Sequence, residues 1–261
     1  MNIRLIASDI DGTLLPYGGG ALEPELFSLI RALGKRGIVF CAASGRQYSS
    51  LRRLFAPVAD EIYYLCENGA LVADRGPSFQ VLHKTVMPQP DAGALIAEIL
   101  ARAECEVLIS GANTSYVIPK RVDMERRMRE FTGNHTMRVA RAEDVPEEVI
   151  KISAYCPDAS ALAPCMKPAW EKRFSVAVAG QNWLDFTLAD KGTGLRSLCA
   201  SLDVEEKAVL AFGDNYNDVP LFENAGTAYL METAAPELLA RWPRHCASVT
   251  QVMRELTDTV V

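Results

Sequence analysis

The run Leu5-Ile6-Ala7-Ser8-Asp9-Ile10-Asp11-Gly12-Thr13-Leu14 constrains this chain more than any other. It opens on an apolar stretch interrupted by Arg4 and Ser8. The stretch is short, carries β-branched residues and ends at a glycine turn, so it reads as a buried strand. Two carboxylates, Asp9 and Asp11, sit two residues apart at its C-terminal end. Alternate side chains of a strand share a face, so both can point into one site. In an open α/β sheet, ligands bind beyond the carboxyl ends of the strands. Such a pair can hold a divalent cation, and one acid can attack an electrophile while the other moves protons. Asp-x-Asp alone is more often a solvated acidic turn. The strand before it and the Gly-Thr after it make the longer run far more specific.

Further along, apolar residues at helical spacing (Leu22, Leu26, Leu29, Ile30, Leu33) predict a helix over 22–36 that stops at Gly37. Strands follow over 38–43 and 62–66, with a helix over 47–55 between them. Asn68-Gly69 is a strong turn signal, and 71–73 returns from it. Strand, helix, strand, helix, strand is the rhythm of a parallel sheet wound by crossovers. The texture changes near Thr85. Met87-Pro88-Gln89-Pro90 reads as a linker. Helices over 92–103, 122–131 and 159–170 then mix with strands over 107–110, 115–118, 149–155, 174–179 and 183–188, which predicts an α+β insertion at 84–187. The first rhythm resumes with a helix from Lys191 to Leu202, strands over 208–212 and 227–230, and helices over 219–223 and 249–256.

Three more stretches combine strand ends with polar groups. Ser44-Gly45-Arg46 offers a hydroxyl and backbone N–H groups at a helix start, which suits an anion, although an ordinary cap fits the same residues. Lys191-Gly192 opens a helix, where the dipole disfavours a cation unless an anion is near. Gly213-Asp214-Asn215-Tyr216-Asn217-Asp218 sets two acids and three further polar residues directly after an apolar strand. That supplies hard oxygen ligands, where a plain Asn/Asp-rich turn is the ordinary alternative.

In this order, and each at a strand end, the four stretches resemble the haloacid dehalogenase-like hydrolase superfamily over the whole chain. The place of the insertion, between the second and third stretches, is similar to the superfamily's second cap type. Ser-Gly-Arg, Glu-Asn-Gly-Ala and Gly-Asp-Asn-x-Asn-Asp resemble its Cof-like branch. The resemblance implies a Rossmann-like α/β core built from 1–83 and 188–261 and an inserted α+β cap domain over 84–187. It implies a Mg2+-dependent phosphatase of small phosphorylated metabolites, above all sugar phosphates, working through an aspartyl-phosphate. Asp9 would be the nucleophile and Asp11 the acid and base. Asp9, Asp214 and the Asp11 carbonyl would hold Mg2+. Ser44, Gly45, Lys191 and Asn217 would bind phosphate, and Asp218 would support the metal or orient Lys191. Asp190 stands where related sequences often have serine.

Composition bounds the alternatives. The chain has 261 residues and a net charge of -6 from 33 acids and 27 bases, which argues against nucleic acid or an anionic membrane as partner. Seven cysteines at wide spacings, without a Cys-x-x-Cys pair, read as buried reduced thiols rather than as a zinc site. No apolar run has membrane-spanning length, and the N-terminus lacks signal-peptide features, so a cytoplasmic protein is expected. The basic stretch Lys120, Arg121, Arg126, Arg127 and Arg129 reads first as a solvated helix face. If one or two of those residues instead grip the far end of a substrate, a phosphosugar mutase becomes the alternative. A non-catalytic sensor of phosphorylated metabolites would be signalled by loss of Asp9 or Asp11, and both are present. Lys151, inside the insertion, is set aside in favour of Lys191.

Overall fold

The computed structural model describes residues 3–17 and 19–259. The first segment runs β1 (Leu5–Ser8), α1 (Pro24–Gly34), β2 (Val39–Ala43), α2 (Tyr48–Leu54), β3 (Tyr63–Cys66), β4 (Leu71–Ala73) and β5 (Val81–Lys84). The insertion runs α3 (Gln89–Ala101), β6 (Glu106–Ser110), β7 (Ser115–Val117), α4 (Met124–Thr132), β8 (Thr136–Arg138), β9 (Lys151–Tyr155), α5 (Ala159–Trp170), β10 (Ser175–Ala179) and β11 (Trp183–Thr187). The last segment runs α6 (Lys191–Leu202), β12 (Val209–Gly213), α7 (Val219–Glu223), β13 (Thr227–Met231), α8 (Pro236–Arg241), β14 (His245–Cys246) and α9 (Val249–Thr259). Two compact units result. The larger holds the residues up to Arg46, Leu51–His83 and those from Asp190 onward; the smaller holds Gln47–Ser50 and Lys84–Ala189.

In the larger unit the described strands form one sheet in the order β14-β13-β12-β1-β2-β3-β4-β5. It is parallel from β14 through β3, and β4 returns antiparallel to β3. All four residues of β1 are buried, as a strand covered on both faces requires. Leu5 and Ala7 share one apolar cluster with Leu195 and Leu198 of α6 and with Leu221 and Phe222 of α7. Helix α1 starts on Pro24, where a missing N–H costs nothing, and buries Leu26, Leu29, Ile30 and Leu33 along one stripe.

The Glu-Asn-Gly-Ala stretch has a structural task. Glu67 and Asn68 take left-handed backbone angles (φ 51° and 55°), and Gly69 follows at φ 96°. The turn brings Gly69 against the start of α6, where a Cβ on Gly69 would lie 2.0 Å from the Asp190 carbonyl oxygen. Asp190 itself is the N-cap of α6 and accepts from the Thr193 N–H at 2.7 Å. That answers what this aspartate does where serine is often found: both residue types cap helices.

The smaller unit has a sheet of its own, in the order β10-β11-β9-β6-β7-β8. Helices α3 and α5 cover one face, packing Leu95, Ile99, Leu162 and Met166 against Val107, Ile109, Ile152, Ala154, Leu184 and Phe186. On the other face α4 sets Met124 and Met128 over Leu108 and Val117. The predicted linker Met87-Pro88-Gln89-Pro90 instead runs into α3, whose first turn accepts Pro90. The arginines of α4 are committed within the helix: Arg129 pairs with Glu125 at 2.8 Å, Arg127 with Asp123 at 3.8 Å and Arg126 with Glu130 at 4.0 Å. The Lys120 ammonium donates to the Arg102 and Cys105 carbonyls at 2.5 and 2.6 Å. Among the described residues six cysteines are buried thiols and Cys165 is exposed.

Gly69→Ala should destabilise the protein by roughly 2–5 kcal/mol, combining left-handed strain with overpacking. Gly180→Ala is the control, because Gly180 also has positive φ (69°) but open space around its Cα. It should lose only about 1 kcal/mol. Urea unfolding of the two variants checks the difference.

Candidate active site

The acids of the first and fourth stretches meet because their strands are neighbours. In the parallel ladder Ser8 of β1 lies opposite Phe212 of β12, and the Asp9 N–H donates to the Phe212 carbonyl at 2.9 Å. Asp9 leaves the end of β1 and Asp214 the end of β12, at one sheet edge. The turn after Asp9 is tied back on itself: Thr13, Leu14 and Leu15 donate to the Ile10 carbonyl and Gly12 to the Leu15 carbonyl. Gly12 has φ 92°, and a Cβ there would lie 2.3 Å from Asp214 Oδ2. Glycine is what lets this turn pass so close to the second acid.

Lys191 is wholly buried at the start of α6. Its Nζ donates to Asp9 Oδ1 and, at 2.6 Å, to Asp218 Oδ1. The dipole cost of a cation at that position is met by two carboxylates. Asp218 is also fully buried, and its second oxygen accepts the N–H groups of Asp214 and Asn215 at 3.0 and 3.1 Å. Asp218 is therefore committed on both oxygens and holds the turn around Asp214. Gly213 must be glycine for a related reason, since its Cβ would lie 2.5 Å from the Asp218 carboxyl carbon.

Asp9, Asp214 and Asp218 each offer an oxygen, and the three oxygens lie within 4.8 Å of one another. Hard carboxylate oxygens at that separation fit a small divalent cation such as Mg2+. With Asp218 engaged by Lys191 and two amides, Asp9 and Asp214 are the residues suited to hold the ion directly. Burial first, and then the charge on Asp218, push the Asp9 carboxyl up to about 8, against the pull of Lys191. Asp214 is raised as well, mainly by burial. Lys191 stays protonated: burial opposes its charge, but Asp218 and Asp9 outweigh burial and hold it above its ordinary value.

Asp11 lies apart from this group. Its carboxylate takes the Arg46 guanidinium in a fork, with Nε to Oδ2 at 2.9 Å and Nη2 to Oδ1 at 2.5 Å. Arg46 thus has a specific partner in the site. The Ser44 hydroxyl oxygen accepts the Arg46 N–H at 3.2 Å, the local cap that its sequence also allowed. Gly45 stands beside the Asn68 side chain, 3.2 Å from where its Cβ would be. Asn217 is exposed on the turn before α7. Two hydroxyls hold Asp214, that of Thr13 in the first stretch and that of Tyr17, which the sequence did not single out. Thr13 Oγ1 donates to Asp214 Oδ1 at 3.3 Å, and the Tyr17 hydroxyl donates to Asp214 Oδ2. The available signal for Tyr17 was an aromatic residue in a Pro- and Gly-rich turn eight residues after Asp9.

This arrangement agrees with the comparisons. The family model for haloacid dehalogenase-like hydrolases matches residues 6–252. The chain belongs to that family, in its Cof-like branch, and is a phosphoric monoester hydrolase. It is 28% identical over 247 residues to the 5-amino-6-(5-phospho-D-ribitylamino)uracil phosphatase YbjI of Escherichia coli strain K12, covering 92% of this chain and 89% of the relative. It is 24% identical to the HMP-PP phosphatase of Citrobacter koseri, over 93% of this chain and 91% of that one. A crystal structure from Eubacterium rectale superposes with a TM-score of 0.85 at 29% identity, covering 98% of this chain and all of the other. A subclass IIB sugar phosphatase shares the fold, core and cap, at a TM-score of 0.77 and 17% identity, over 97% of this chain and 98% of that one.

A raised carboxyl has a definite sign in stability. Between its ordinary value of 3.8 and about 8, folded Asp9 keeps a proton that the unfolded chain releases. Stability must then fall as pH rises through that window. In chelator-treated protein the unfolding free energy should decline from pH 4 toward pH 8, and Asp9→Asn should flatten that decline. Urea titrations at several pH values read both slopes.

Proposed function

We propose that the protein is a Mg2+-dependent phosphatase of small phosphorylated metabolites, sugar phosphates in particular, and that Asp9 is its nucleophile. The observation that carries this reading is the buried Asp9–Lys191–Asp218 group beside Asp214. It gives one acid a fixed orientation, a neighbouring cation and a partner acid suited to a metal. Asp9 and Asp214, with the Asp11 carbonyl, would hold Mg2+. When bound, the ion neutralises charge between Asp9 and the phosphoryl oxygens.

The residues then divide the reaction. Lys191 holds Asp9 Oδ1 and presents positive charge to the incoming phosphate. An Asp9 oxygen forms a bond to phosphorus as the ester P–O bond breaks, leaving an aspartyl-phosphate. Asp11, released from Arg46 and having taken up a proton from solvent, would give that proton to the departing alkoxide and then take one from the water that hydrolyses the intermediate. With both oxygens in the Arg46 fork, the Asp11 carboxyl has to leave that pair to reach the leaving group. Arg46 is therefore a positioning residue for the resting state. Ser44 and the Gly45 N–H would bind phosphate oxygens, with Asn217 reaching in from its exposed turn.

The mutase alternative needs free cations to hold a second phosphate. Arg126, Arg127 and Arg129 are each paired with an acid of their own helix or its start, which favours the phosphatase. Relatives named for a phosphoribitylamino compound and for HMP-PP support small, polar phosphate esters as the substrate class.

The test is phosphate release from a panel of sugar and polyol phosphates, with Mg2+ and after chelation. Turnover should require Mg2+, and Asp9→Asn should lower kcat by about a thousandfold or more. Asp214→Ala should weaken Mg2+ binding, measured by calorimetry. Full activity in chelator, or near-normal activity of Asp9→Asn, overturns the proposal.

A further inference from the structure

The three buried acids differ in how many oxygens they still offer, and at Asp214 an exposed side chain decides the number. Lys191 engages Asp9 Oδ1, and Lys191 together with two amides engages both oxygens of Asp218. At Asp214 the Tyr17 hydroxyl donates to Oδ2, while Thr13 Oγ1 reaches Oδ1 only at 3.3 Å. The Tyr17 oxygen also accepts from Asn215 Nδ2 at 3.4 Å, which directs the hydroxyl hydrogen toward Asp214. The ring edge passes over Gly12: a Cβ on Gly12 would lie 2.7 Å from Tyr17 Cε2 as well as 2.3 Å from Asp214 Oδ2. All of these residues belong to the larger unit.

Packing does not account for the tyrosine. Tyr17 is 67% exposed, yet its hydroxyl sits on an acid that is 6% exposed. A ring left so far in water gains little from burial. Its specific contribution is the hydroxyl, and a hydrogen bond to an ionised carboxylate is a strong one. Such a bond competes with a cation for the same oxygen.

The consequence depends on the cation. Mg2+ demands a near-octahedral shell and keeps several waters, so one oxygen from each carboxylate serves it. Ca2+ takes more oxygens at longer distances, often both from one carboxylate. A hydroxyl on Oδ2 therefore withdraws a contact that Ca2+ would use and Mg2+ would not. Lys191 does the same at Asp9 Oδ1.

We propose that Tyr17 sets the ion selectivity of this site: by holding Asp214 Oδ2 it limits Asp214 to one metal-facing oxygen, which favours Mg2+ over Ca2+. The inference rests on the Mg2+ reading of the site and adds what selects the ion. Tyr17 acts through Asp214 and is a positioning residue.

Metal binding, without substrate or turnover, gives the test. Mg2+ and Ca2+ are titrated by calorimetry into chelator-treated, full-length wild-type, Tyr17→Phe and Tyr216→Phe proteins. Tyr216 is an exposed tyrosine on the turn after Asp214 and serves as the control. Tyr17→Phe should raise the ratio of Ca2+ to Mg2+ affinity about tenfold, the lower end of what the partner of a ligating side chain contributes. Tyr216→Phe should leave the ratio at its wild-type value. A hydroxyl that only steadies Asp214 would weaken both ions alike. An unchanged or lowered ratio in Tyr17→Phe, or an equal rise in Tyr216→Phe, therefore overturns the role of Tyr17 and leaves the Mg2+ reading standing. Wild-type protein that takes up neither ion overturns the Mg2+ reading itself, and this inference with it.

Discussion

The ammonium of Lys191, shared by Asp9 and Asp218, is the contact on which the rest of the site depends. It ties together three places distant in sequence: the end of the first strand, the helix after the insertion, and the turn after β12. A charge buried this completely is tolerable only when its donors are satisfied. The fold supplies that satisfaction from two strand ends. The helix that carries Lys191 is itself fixed from outside by its Asp190 cap and by the close approach of Gly69. The Glu-Asn-Gly-Ala turn therefore serves the site by fixing the start of α6.

The acids around Lys191 are unequal, and hydrogen bonding makes them so. Asp218 spends both oxygens on Lys191 and on two backbone amides, so it acts as scaffold. Asp214 is held more lightly, by the hydroxyls of Thr13 and Tyr17. A hydroxyl contact leaves a carboxylate oxygen with lone pairs to offer, as a metal ligand needs. Asp9 carries the burden of the arrangement: burial and a neighbouring negative charge raise its carboxyl. Bringing a divalent cation there relieves the same repulsion, so the feature that costs stability in the metal-free protein is the one suited to metal binding.

Much of this was legible in the sequence because strand ends leave a local signature. Asp9, Asp214 and Lys191 each stand directly beside a change from apolar run to polar turn or helix start. The oddity of a lysine at a helix start resolved into a specific ion pair. What stayed hidden depended on tertiary approach. Arg46 gained its meaning from Asp11, 35 residues earlier, and Thr13 and Tyr17 from Asp214, about 200 residues later. The short strands β8 and β14, of three and two residues, have too few positions for alternation to register. Asp190 looked like a departure until its capping bond showed an equivalent solution.

Lys151 shows how position in the chain can mislead. It was set aside because it belongs to the insertion rather than to the segments that carry the acids, and by that criterion it has no part in phosphate chemistry. Yet it is buried and paired, as Lys191 is, with one difference. Lys191 faces two carboxylates beside a third, which leaves an excess of negative charge that a cation can complete. Lys151 pairs with Asp185 inside the smaller unit's own sheet. The core is thus electrostatically unfinished without an ion.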